Sequence, residues 1–426
     1  MKNIVSISAT STELETLENI YSLFALFDEK SFHVLFAPIF KKNIEKYKNI
    51  MKTFFESNNI FFSCKSNKSE TLLRISADTG CGIEVSSVYE LQDALKYTNK
   101  IISSGPAKSD EYLNLSIDND VIISIDDVEE IKNITKINKK AKVFLRISNL
   151  LGKVSRFGIN KKQIEESLKL IKNSKIELIG LSFHINNYSL EDRINAIKEC
   201  IEINKEYQMN IKYIDIGGGI PTTYCSKEDY DEFNKKLNKN MFFNNKKITS
   251  FYPYYNEISD ELALKYILEN VQKELEEIEI IIEPGRSLLS KCGITIFDVA
   301  YTKELESGDN IIITNGNINS LSEQWFNSDY LVNPVLIKKN KSKKENYIAS
   351  VAGNLCLEND MITWRKIEFD FKPKRGDSLV YFNTAGYQMD SNESTFHKIP
   401  VLNKYIVYEE NNELKIMGDV EYANSK

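Results

Sequence analysis

Several polar residues stand at the ends of apolar runs of strand length, where side chains able to do chemistry would collect. They are Lys65, Arg146, His184, the Gly217–Gly219 triplet and Glu283. A lysine amine can form a covalent bond to a carbonyl carbon, and a carboxylate can hold the proton of a heterocyclic nitrogen. Glycines let backbone N–H groups approach a phosphate, because no Cβ stands in the way. The combination indicates a site for a phosphorylated, carbonyl-bearing ring.

Each of these residues also has an ordinary interpretation when it is taken alone. Most lysines are solvated, and an arginine or glutamate at a strand end commonly forms a surface ion pair. A glycine triplet can simply turn the chain, and His184 can be a buried structural histidine. Pyridoxal 5′-phosphate (PLP) chemistry needs the amine, the carboxylate and the phosphate-binding amides together. The joint pattern therefore favours a PLP site.

The elements that would position these residues alternate between strands and helices. Runs of strand length separated by segments with helical spacing extend from about residue 41 to residue 283, as in βα units with a parallel sheet. We count eight runs: 59–65, 82–85, 100–105, 120–126, 142–147, 176–185, 211–217 and 279–285. Eight such units predict an α/β fold with an eight-stranded parallel β/α (TIM) barrel, whose active site lies at the carboxyl ends of its strands.

A second domain follows the barrel. After Arg286 the strand-like runs continue without long helices, which predicts a mostly antiparallel β domain. We place the N-terminal part of the β domain at 1–38, the PLP-binding barrel at 39–290 and the C-terminal β domain at 291–426. The polar stretch 232–258 is interpreted as an elaborated loop of the barrel, with no function assigned.

Composition narrows the classes of partner. The 426 residues carry a formal charge of −6 and no basic stripe, which argues against nucleic acid. No apolar run approaches the ~20 residues of a membrane span. The six cysteines lack CxxC or CxxH spacing, so we expect neither a metal site nor disulfides. The start of the chain lacks a secretory pattern, and we expect a cytoplasmic protein.

The order of the motifs resembles a known family. The segments that carry the resemblance are FFSCKSNKSETLLR, GCGIEVSSVYELQDAL, SSGPAKSDEYL, FLRIS, KVSRFGIN, GLSFHI, IDIGGGIPTTY, EPGRSLL, VAGNLCLENDMI and GDSLVYFNTAGYQMD. Together they are similar to the PLP enzymes of the alanine-racemase fold, which include the ornithine, arginine and diaminopimelate decarboxylases. The resemblance covers nearly the whole chain and implies decarboxylation of an α-amino acid.

The resemblance implies a role for each matching residue. Lys65 would carry PLP, Glu283 would pair with the pyridine nitrogen, and His184 would stack on the ring. Arg146 would contact the cofactor region, and Asn187 would replace a phosphate-binding serine of the relatives. The residues implied in holding the phosphate are Gly217, Gly218, Gly219, Gly285, Arg286 and Tyr387.

A second subunit is also implied. Cys356 matches a cysteine that enters the active site from the other subunit and helps to return a proton to the substrate carbon. The resemblance therefore predicts an obligate homodimer with shared active sites. The candidate substrate-binding residues are Glu358, Asp360, Gln324 and Trp325.

One position departs from the family and bears on the substrate. Relatives in the diamine-forming and diaminopimelate-specific branches have an acidic residue directly after the cysteine, whereas this chain has Leu357, which cannot pair with an ammonium. We expect an elaborated or conjugated α-amino acid, as in the branches that serve siderophore or peptide-antibiotic pathways. The alternatives are decarboxylation of free diaminopimelate, ornithine or lysine, an amino-acid racemase, a non-catalytic regulatory homologue, and a phosphate-binding barrel enzyme without PLP.

Overall fold

The computed structural model describes residues 29–247, 251–321, 333–340, 343–390 and 392–425. Two compact units are present. The first, called the barrel unit, comprises 41–221 and 258–288; the second, called the β unit, comprises the described parts of 1–40, 222–257 and 289–426. Strand β1 (Phe32–Phe36) and helix α1 (Ala37–Met51) open the described chain.

The barrel unit is built on eight parallel strands. They are β2 (Phe61–Ser63), β3 (Gly82–Val85), β4 (Ile101–Ser103), β5 (Ile122–Ile125), β6 (Ala141–Arg146), β7 (Ile176–Ser182), β8 (Tyr213–Asp215) and β9 (Glu279–Ile281), paired in chain order. A parallel bridge between Ile60 and Ile282 links the first strand to the last. The structure thus confirms all eight predicted barrel strands.

Helices connect the strands of this unit. They are α2 (Glu70–Asp78), α3 (Val88–Ala94), α4 (Asp110–Asp118), α5 (Val128–Ile137), α6 (Ile164–Lys172), α7 (Leu190–Tyr207) and, after the excursion described below, α9 (Asp260–Leu275). Most of them begin at an N-cap side chain that accepts a hydrogen bond from the first turn. Ser69, Ser87, Ser109, Asp127 and Ser189 do this. At these five helices the cap fixes the residue at which the strand-to-helix loop ends.

Large side chains pack between the strands of the sheet. Phe61, Ile102 and Phe144 form one cluster with the partly buried Tyr213, and these four come from β2, β4, β6 and β8. The same cluster also contains Ile122 of β5, Ile179 of β7 and Ile281 of β9, so apolar side chains from most of the strands pack together. A packed interior leaves the carboxyl ends of the strands as the place for polar chemistry.

The β unit contains β1 and the later strands. These are β10 (Gly293–Glu304), β11 (Asn310–Thr314), β12 (Pro334–Ile337), β13 (Tyr347–Ala352), β14 (Met361–Phe369), β15 (Ser378–Phe382), β16 (Lys404–Glu410) and β17 (Glu413–Gly418). The main path runs β14-β13-β11-β10-β1-β16-β17, and β15 joins β10 to β12. Most pairs are antiparallel; β1 with β16 and β11 with β13 are parallel. The predicted second, mostly antiparallel domain is confirmed. A final helix, α10 (Asp419–Asn424), follows.

The segment 222–257 leaves the barrel after β8 and belongs to the β unit. It carries α8 (Lys227–Lys236), and Phe242 forms an antiparallel bridge with Arg365 of β14. Met241 and Phe242 pack in one cluster with Trp364. The sequence analysis interpreted 232–258 as a loop of the barrel. The structure instead packs described residues of this segment in the β unit, because Met241 and Phe242 share a cluster with apolar residues of its strands.

Within the described ranges, no helix combines the length and hydropathy of a membrane span. The same residues contain no group of three or more His, Cys, Asp or Glu side chains placed to hold a metal ion. Each of the six cysteines is a free thiol, and Cys356 differs from the others in being exposed.

Candidate active site

An ion pair stands at the carboxyl ends of the first two barrel strands. Lys65 lies in the single turn Cys64–Ser66 after β2, and its Nζ donates to Oε2 of Glu84 on β3 at 3.1 Å. The same carboxylate accepts from Ser63 Oγ at 2.6 Å and from Ser86 Oγ at 3.1 Å. The Glu84 side chain is fully buried, whereas that of Lys65 is 47% exposed. The carboxylate is therefore the fixed partner, and the amine is accessible.

Glu84 stays ionised despite its burial. Desolvation by itself would raise the pKa of this carboxyl, but the charge of Lys65 and the hydrogen bonds from Ser63, Lys65 and Ser86 outweigh it and lower the pKa. A buried carboxylate with three donors is a stable acceptor. It holds the Lys65 amine at the end of the strand.

Two carboxyl groups, the buried Asp215 and the half-buried Glu283, lie at the ends of the last two strands. Asp215 ends β8, and Glu283 follows β9 by two residues. Burial raises the pKa of Asp215 to about 6, although a hydrogen bond from Glu283 works against the shift. Burial, followed by the negative charges of Asp215 and Glu84, raises the pKa of Glu283 well above its usual range. The pair retains a proton to a higher pH than ordinary carboxyls do, which suits it to face a basic ring nitrogen.

The glycine loop, residues 217–219, follows Asp215 and packs so closely that side chains do not fit. Gly217 and Gly219 have φ values of +65° and +75°. A Cβ on Gly217 would lie 2.8 Å from His184 Nδ1, and one on Gly218 would lie 2.8 Å from the Glu283 carbonyl oxygen. Asp215 Oδ1 accepts from Gly217 N at 2.9 Å, which holds the loop against the strand. Backbone in this conformation can present N–H groups to an anion.

His184 follows β7 and lies against this loop. Solvent reaches the imidazole ring, yet the protein around it lowers the pKa to about 3; desolvation is the largest cause, followed by the charges of Lys65, Arg193 and Arg146. Three cations thus act against protonation of the ring. The imidazole is therefore neutral at physiological pH and can lie flat against an aromatic ring without a repulsive charge.

We expect the His184 ring to stay neutral from pH 8 down to pH 5. His33, buried in the β unit, has its pKa lowered to about 3 as well, mainly by burial. Because the chain has three histidines, imidazole NMR signals are easily assigned with a His184→Asn variant. The His184 and His33 signals should not shift in this range. The neutral native ring contributes stability that is present above pH 6.5 and lost as pH falls toward 3. A His184 signal that titrates near pH 6.5 would contradict this arrangement.

Arg146 ends β6 and is held in place on two sides. Its Nη1 donates to Asp126 Oδ1 at 3.3 Å, and its guanidinium lies over the Phe157 ring at 4.4 Å from the centroid. Asp126 also accepts from Gly158 N at 3.2 Å. These contacts tie the loop after β6 to the end of β5. Arg146 therefore presents a fixed positive charge at the same end of the barrel as Lys65.

The remaining predicted cofactor residues of this unit lie nearby in the chain. Gly285 and Arg286 are buried directly after Glu283. The side chain of Asn187 is engaged locally: its Nδ2 donates to Asp192 Oδ2 at 2.7 Å, and its Oδ1 accepts from Ser189 N at 2.9 Å. A phosphate contact by Asn187 stays a prediction.

A cavity of about 520 Å³ opens beside His184. Arg146, Lys153, Arg156, Phe157 and Asn187 contribute to its wall. All of its lining residues belong to the barrel unit. The volume falls within the range of cavities that enclose whole small molecules, about 300–1,000 Å³.

The β unit carries the other predicted residues. Cys356 and Glu358 are exposed in the turn that follows β13, while Asp360 is buried at its end. The Asp360 carboxylate accepts from Leu355 N and from Ile318 N, both at 2.7 Å. Asp360 therefore fixes the turn that displays the Cys356 thiol. Gln324 and Trp325 lie outside the described residues.

Tyr387 has an unusual backbone. Its φ is +74°, in the left-handed region that costs an L-residue roughly 1–2 kcal/mol. Its carbonyl accepts from Asp390 N at 3.2 Å. Backbone strain of this kind is often found at functional sites, which is consistent with a functional role for Tyr387.

Glu84 and Asp215 were missed in the sequence. Each is an acidic residue inside an apolar strand run, GIEV and YIDIG, which is a signal of a buried functional carboxylate. Arg193 on α7 was missed too, because an arginine in an amphipathic helix is usually solvated. Their partners come from other strands, so spacing along the chain did not reveal them.

Several known proteins are similar to this chain in sequence and in fold. Residues 41–290 match the pyridoxal-dependent decarboxylase family, pyridoxal binding domain. The uncharacterized protein y4yA of Sinorhizobium fredii is 29% identical over 400 residues, which cover 89% of this chain and 88% of that protein. The diaminopimelate decarboxylase of Aquifex aeolicus is 24% identical over 383 residues, covering 83% of this chain and 81% of the relative.

Solved structures agree in fold. The crystal structure of diaminopimelate decarboxylase from M. jannaschii in complex with L-lysine has a TM-score of 0.74 at 20% identity, covering 93% of this chain and 90% of that chain. The family match spans more than half of the sequence, and its barrel carries the amine, carboxyl pair and glycine loop described above. The chain therefore belongs to the pyridoxal-dependent decarboxylase family, and its cofactor is pyridoxal 5′-phosphate.

Proposed function

We propose that Lys65 is the residue to which PLP attaches, that the Asp215–Glu283 pair faces the pyridine nitrogen, and that the glycine loop binds the phosphate. The observation that carries this assignment is the accessible Lys65 amine held by the buried Glu84 carboxylate at 3.1 Å. The carboxyl pair and the glycine loop follow strands of the same sheet. When bound, PLP supplies an electron-withdrawing ring that stabilises the electron pair left on Cα as CO2 departs.

The side chains of this chain do the positioning. Ser63 and Ser86 fix Glu84, and Glu84 in turn holds the Lys65 amine. The carboxyl pair retains a proton for a ring nitrogen, because burial raises the pKa of both its members. A neutral His184 offers an uncharged flat surface beside the glycine loop. Together they support decarboxylation of an α-amino acid.

Absorption spectroscopy and mass spectrometry test the assignment. We expect the purified protein to show a visible absorption band that borohydride abolishes, with the reduced cofactor covalently fixed to the peptide that contains Lys65. CO2 release with unchanged chirality of the remaining amino acid is expected from a decarboxylase, whereas inversion without CO2 indicates a racemase. A protein that binds no PLP even when PLP is added contradicts the proposal.

We also propose a homodimer in which Cys356 of one subunit returns a proton to the substrate carbon in the other. Two observations support a role for this thiol. Cys356 is exposed while the other five cysteines are buried, and Asp360 fixes the turn that displays it. A fully active monomer in sedimentation would contradict the shared site.

For the substrate, we propose an elaborated or conjugated α-amino acid from a biosynthetic pathway of the siderophore or peptide-antibiotic kind. Leu357 directly follows Cys356 and is exposed, so this position has no carboxylate for a distal ammonium. The charged residues in the wall of the cavity of about 520 Å³ beside His184 are Arg146, Lys153 and Arg156, so this wall offers no carboxylate to a free distal ammonium. A substrate conjugated at its distal end keeps the α-amine and α-carboxylate that the reaction requires.

We expect kcat/KM for lysine or ornithine acylated on the distal amine to exceed that for the free amino acids by about 10-fold or more. A Leu357→Asp variant should shift the preference toward the free diamino acids by a similar factor, because the new carboxylate pairs with the ammonium. Leu357→Asn is the control: asparagine has the shape of aspartate without its charge, so this variant should leave the substrate preference unchanged. Rapid turnover of free lysine, ornithine or diaminopimelate by the wild type, with none of the acylated forms, would rule out the conjugated substrate.

A further inference from the structure

Arg193 is a fully buried cation on α7, next to the glycine loop. No carboxylate of the described residues forms an ion pair with it. Burial lowers its pKa to about 10, so the guanidinium remains charged at neutral pH. The loss of hydration outweighs the attraction of Tyr188 and Asp192, so the buried charge is only partly compensated. The position therefore calls for an anion.

The guanidinium is held by carbonyl oxygens from both sides of the site. Nη2 donates to Ile185 O and to Gly218 O, each at 3.2 Å, and Nη1 donates to Ser189 O at 3.1 Å. Ile185 follows His184, and Gly218 is the middle residue of the glycine loop. Nε is buried and has no hydrogen-bond partner in the described structure. These contacts supply dipoles but no net negative charge.

Gly219 shows how closely the arginine packs behind the loop. A Cβ at this position would lie 2.1 Å from Arg193 Nη2, and the residue has a φ of +75°. The glycine is therefore required both for the turn and for the approach of the guanidinium. Arg193 therefore contacts the backbone of the glycine loop, whose N–H groups can face an anion.

We propose that Arg193 is a positioning residue for the phosphate of PLP: it fixes the glycine loop and supplies a buried positive charge for the phosphate dianion. With this charge beside the loop, the phosphate does not require Asn187, whose side-chain amide is hydrogen-bonded to Asp192 and Ser189. It also explains a buried cation that has no carboxylate partner. It rests on the proposed binding of the phosphate by the glycine loop and does not depend on the proposed substrate.

The affinities for PLP and for pyridoxal, which lacks the phosphate, separate this role from a general structural one. Arg193→Gln should weaken PLP binding about 10- to 100-fold, while pyridoxal binding changes less than about threefold. Arg193→Lys keeps the charge and should retain most of the PLP affinity. Both constants are measured by absorbance titration of the full chain after cofactor removal.

Arg365 provides a matched control, since it is the other fully buried arginine of the described residues and lies on β14 of the β unit. Arg365→Gln should leave the ratio of PLP to pyridoxal affinity unchanged. Equal losses for PLP and pyridoxal in Arg193→Gln, or equal PLP affinity in the Gln and Lys variants, would overturn the role of the charge.

A measurement on the wild-type holoenzyme covers the case in which the variants do not fold. The second pKa of a phosphate monoester is about 6 in water, and a fixed buried cation stabilises the dianion. The ³¹P NMR signal of the bound cofactor should therefore be constant from pH 8 to pH 5. A signal that titrates near pH 6 would overturn the proposal without any variant.

Discussion

Replacing Lys65 by alanine should abolish decarboxylation, with a loss in kcat of about 1,000-fold or more, because the variant lacks the amine that forms the covalent bond to the cofactor. Borohydride treatment should then fix no PLP to the chain. The Glu84 carboxyl loses its cationic partner, so its pKa should rise as burial takes over. We would measure CO2 release, the site of reduction by mass spectrometry, and thermal stability.

Lys100 is the matched control, since it lies just before β4, at the opposite end of the barrel. Its Nζ donates to the carbonyl oxygens of Asn58 and Gly80. Lys100→Ala should lower stability but leave kcat within about twofold of wild type, as expected for the amino-terminal face of a barrel. A Lys65→Ala variant as active as Lys100→Ala would support the alternative that the chain is a non-catalytic regulatory homologue.

The same variant tests the shared site. Lys65→Ala and Cys356→Ala should each be nearly inactive, but refolding them together should restore up to about a quarter of wild-type activity, because half of the dimers then contain one intact site. No recovery on mixing would contradict an active site shared between two subunits.

Glu283→Gln should lower kcat by about 100- to 1,000-fold while the protein still binds PLP. Glutamine can form a hydrogen bond to a ring nitrogen but cannot hold a proton for it, so the ring loses its capacity to accept electrons. Asp215 also loses its hydrogen-bonding and electrostatic partner. Steady-state kinetics and the visible spectrum of the bound cofactor measure the two effects.

Glu279 controls for this substitution because it stands at the opposite end of the same strand, β9. Its carboxylate accepts from Asn59 Nδ2 at 2.6 Å and Ser57 Oγ at 3.3 Å. Glu279→Gln should affect stability alone. If Glu283→Gln keeps full activity, the carboxyl pair does not serve the ring nitrogen.

The barrel could be predicted because each strand is a short apolar run between amphipathic helices. That local pattern also places Lys65, His184 and Glu283 at strand ends, where a parallel barrel brings them to one face. The order of the strands in the β unit could not be predicted in this way. Their pairing is non-local: β10, for example, pairs with β1 and with β15.

The electrostatics of the site could not be predicted from the sequence. Glu84 owes its lowered pKa to Lys65 and to two serines. Asp215 is hydrogen-bonded to Glu283, which follows the next strand, and this bond affects the pKa of both carboxyls. Such contacts depend on strand register rather than on neighbours in the chain. The same reason applies to segment 222–257, whose Phe242 meets Arg365 of a distant strand.

The position of β1 has a consequence for how the protein is made. This strand lies between β10 and β16, and His33 pairs with Thr295 and Lys404. On the ribosome β1 emerges long before either neighbour. Its apolar side chains therefore remain without their strand partners while the whole barrel is synthesised. Translation at roughly 5–20 residues per second makes that delay tens of seconds. Chaperones that bind extended apolar segments therefore have their best opportunity at this strand, and a gene fragment ending before β10 leaves it without a partner.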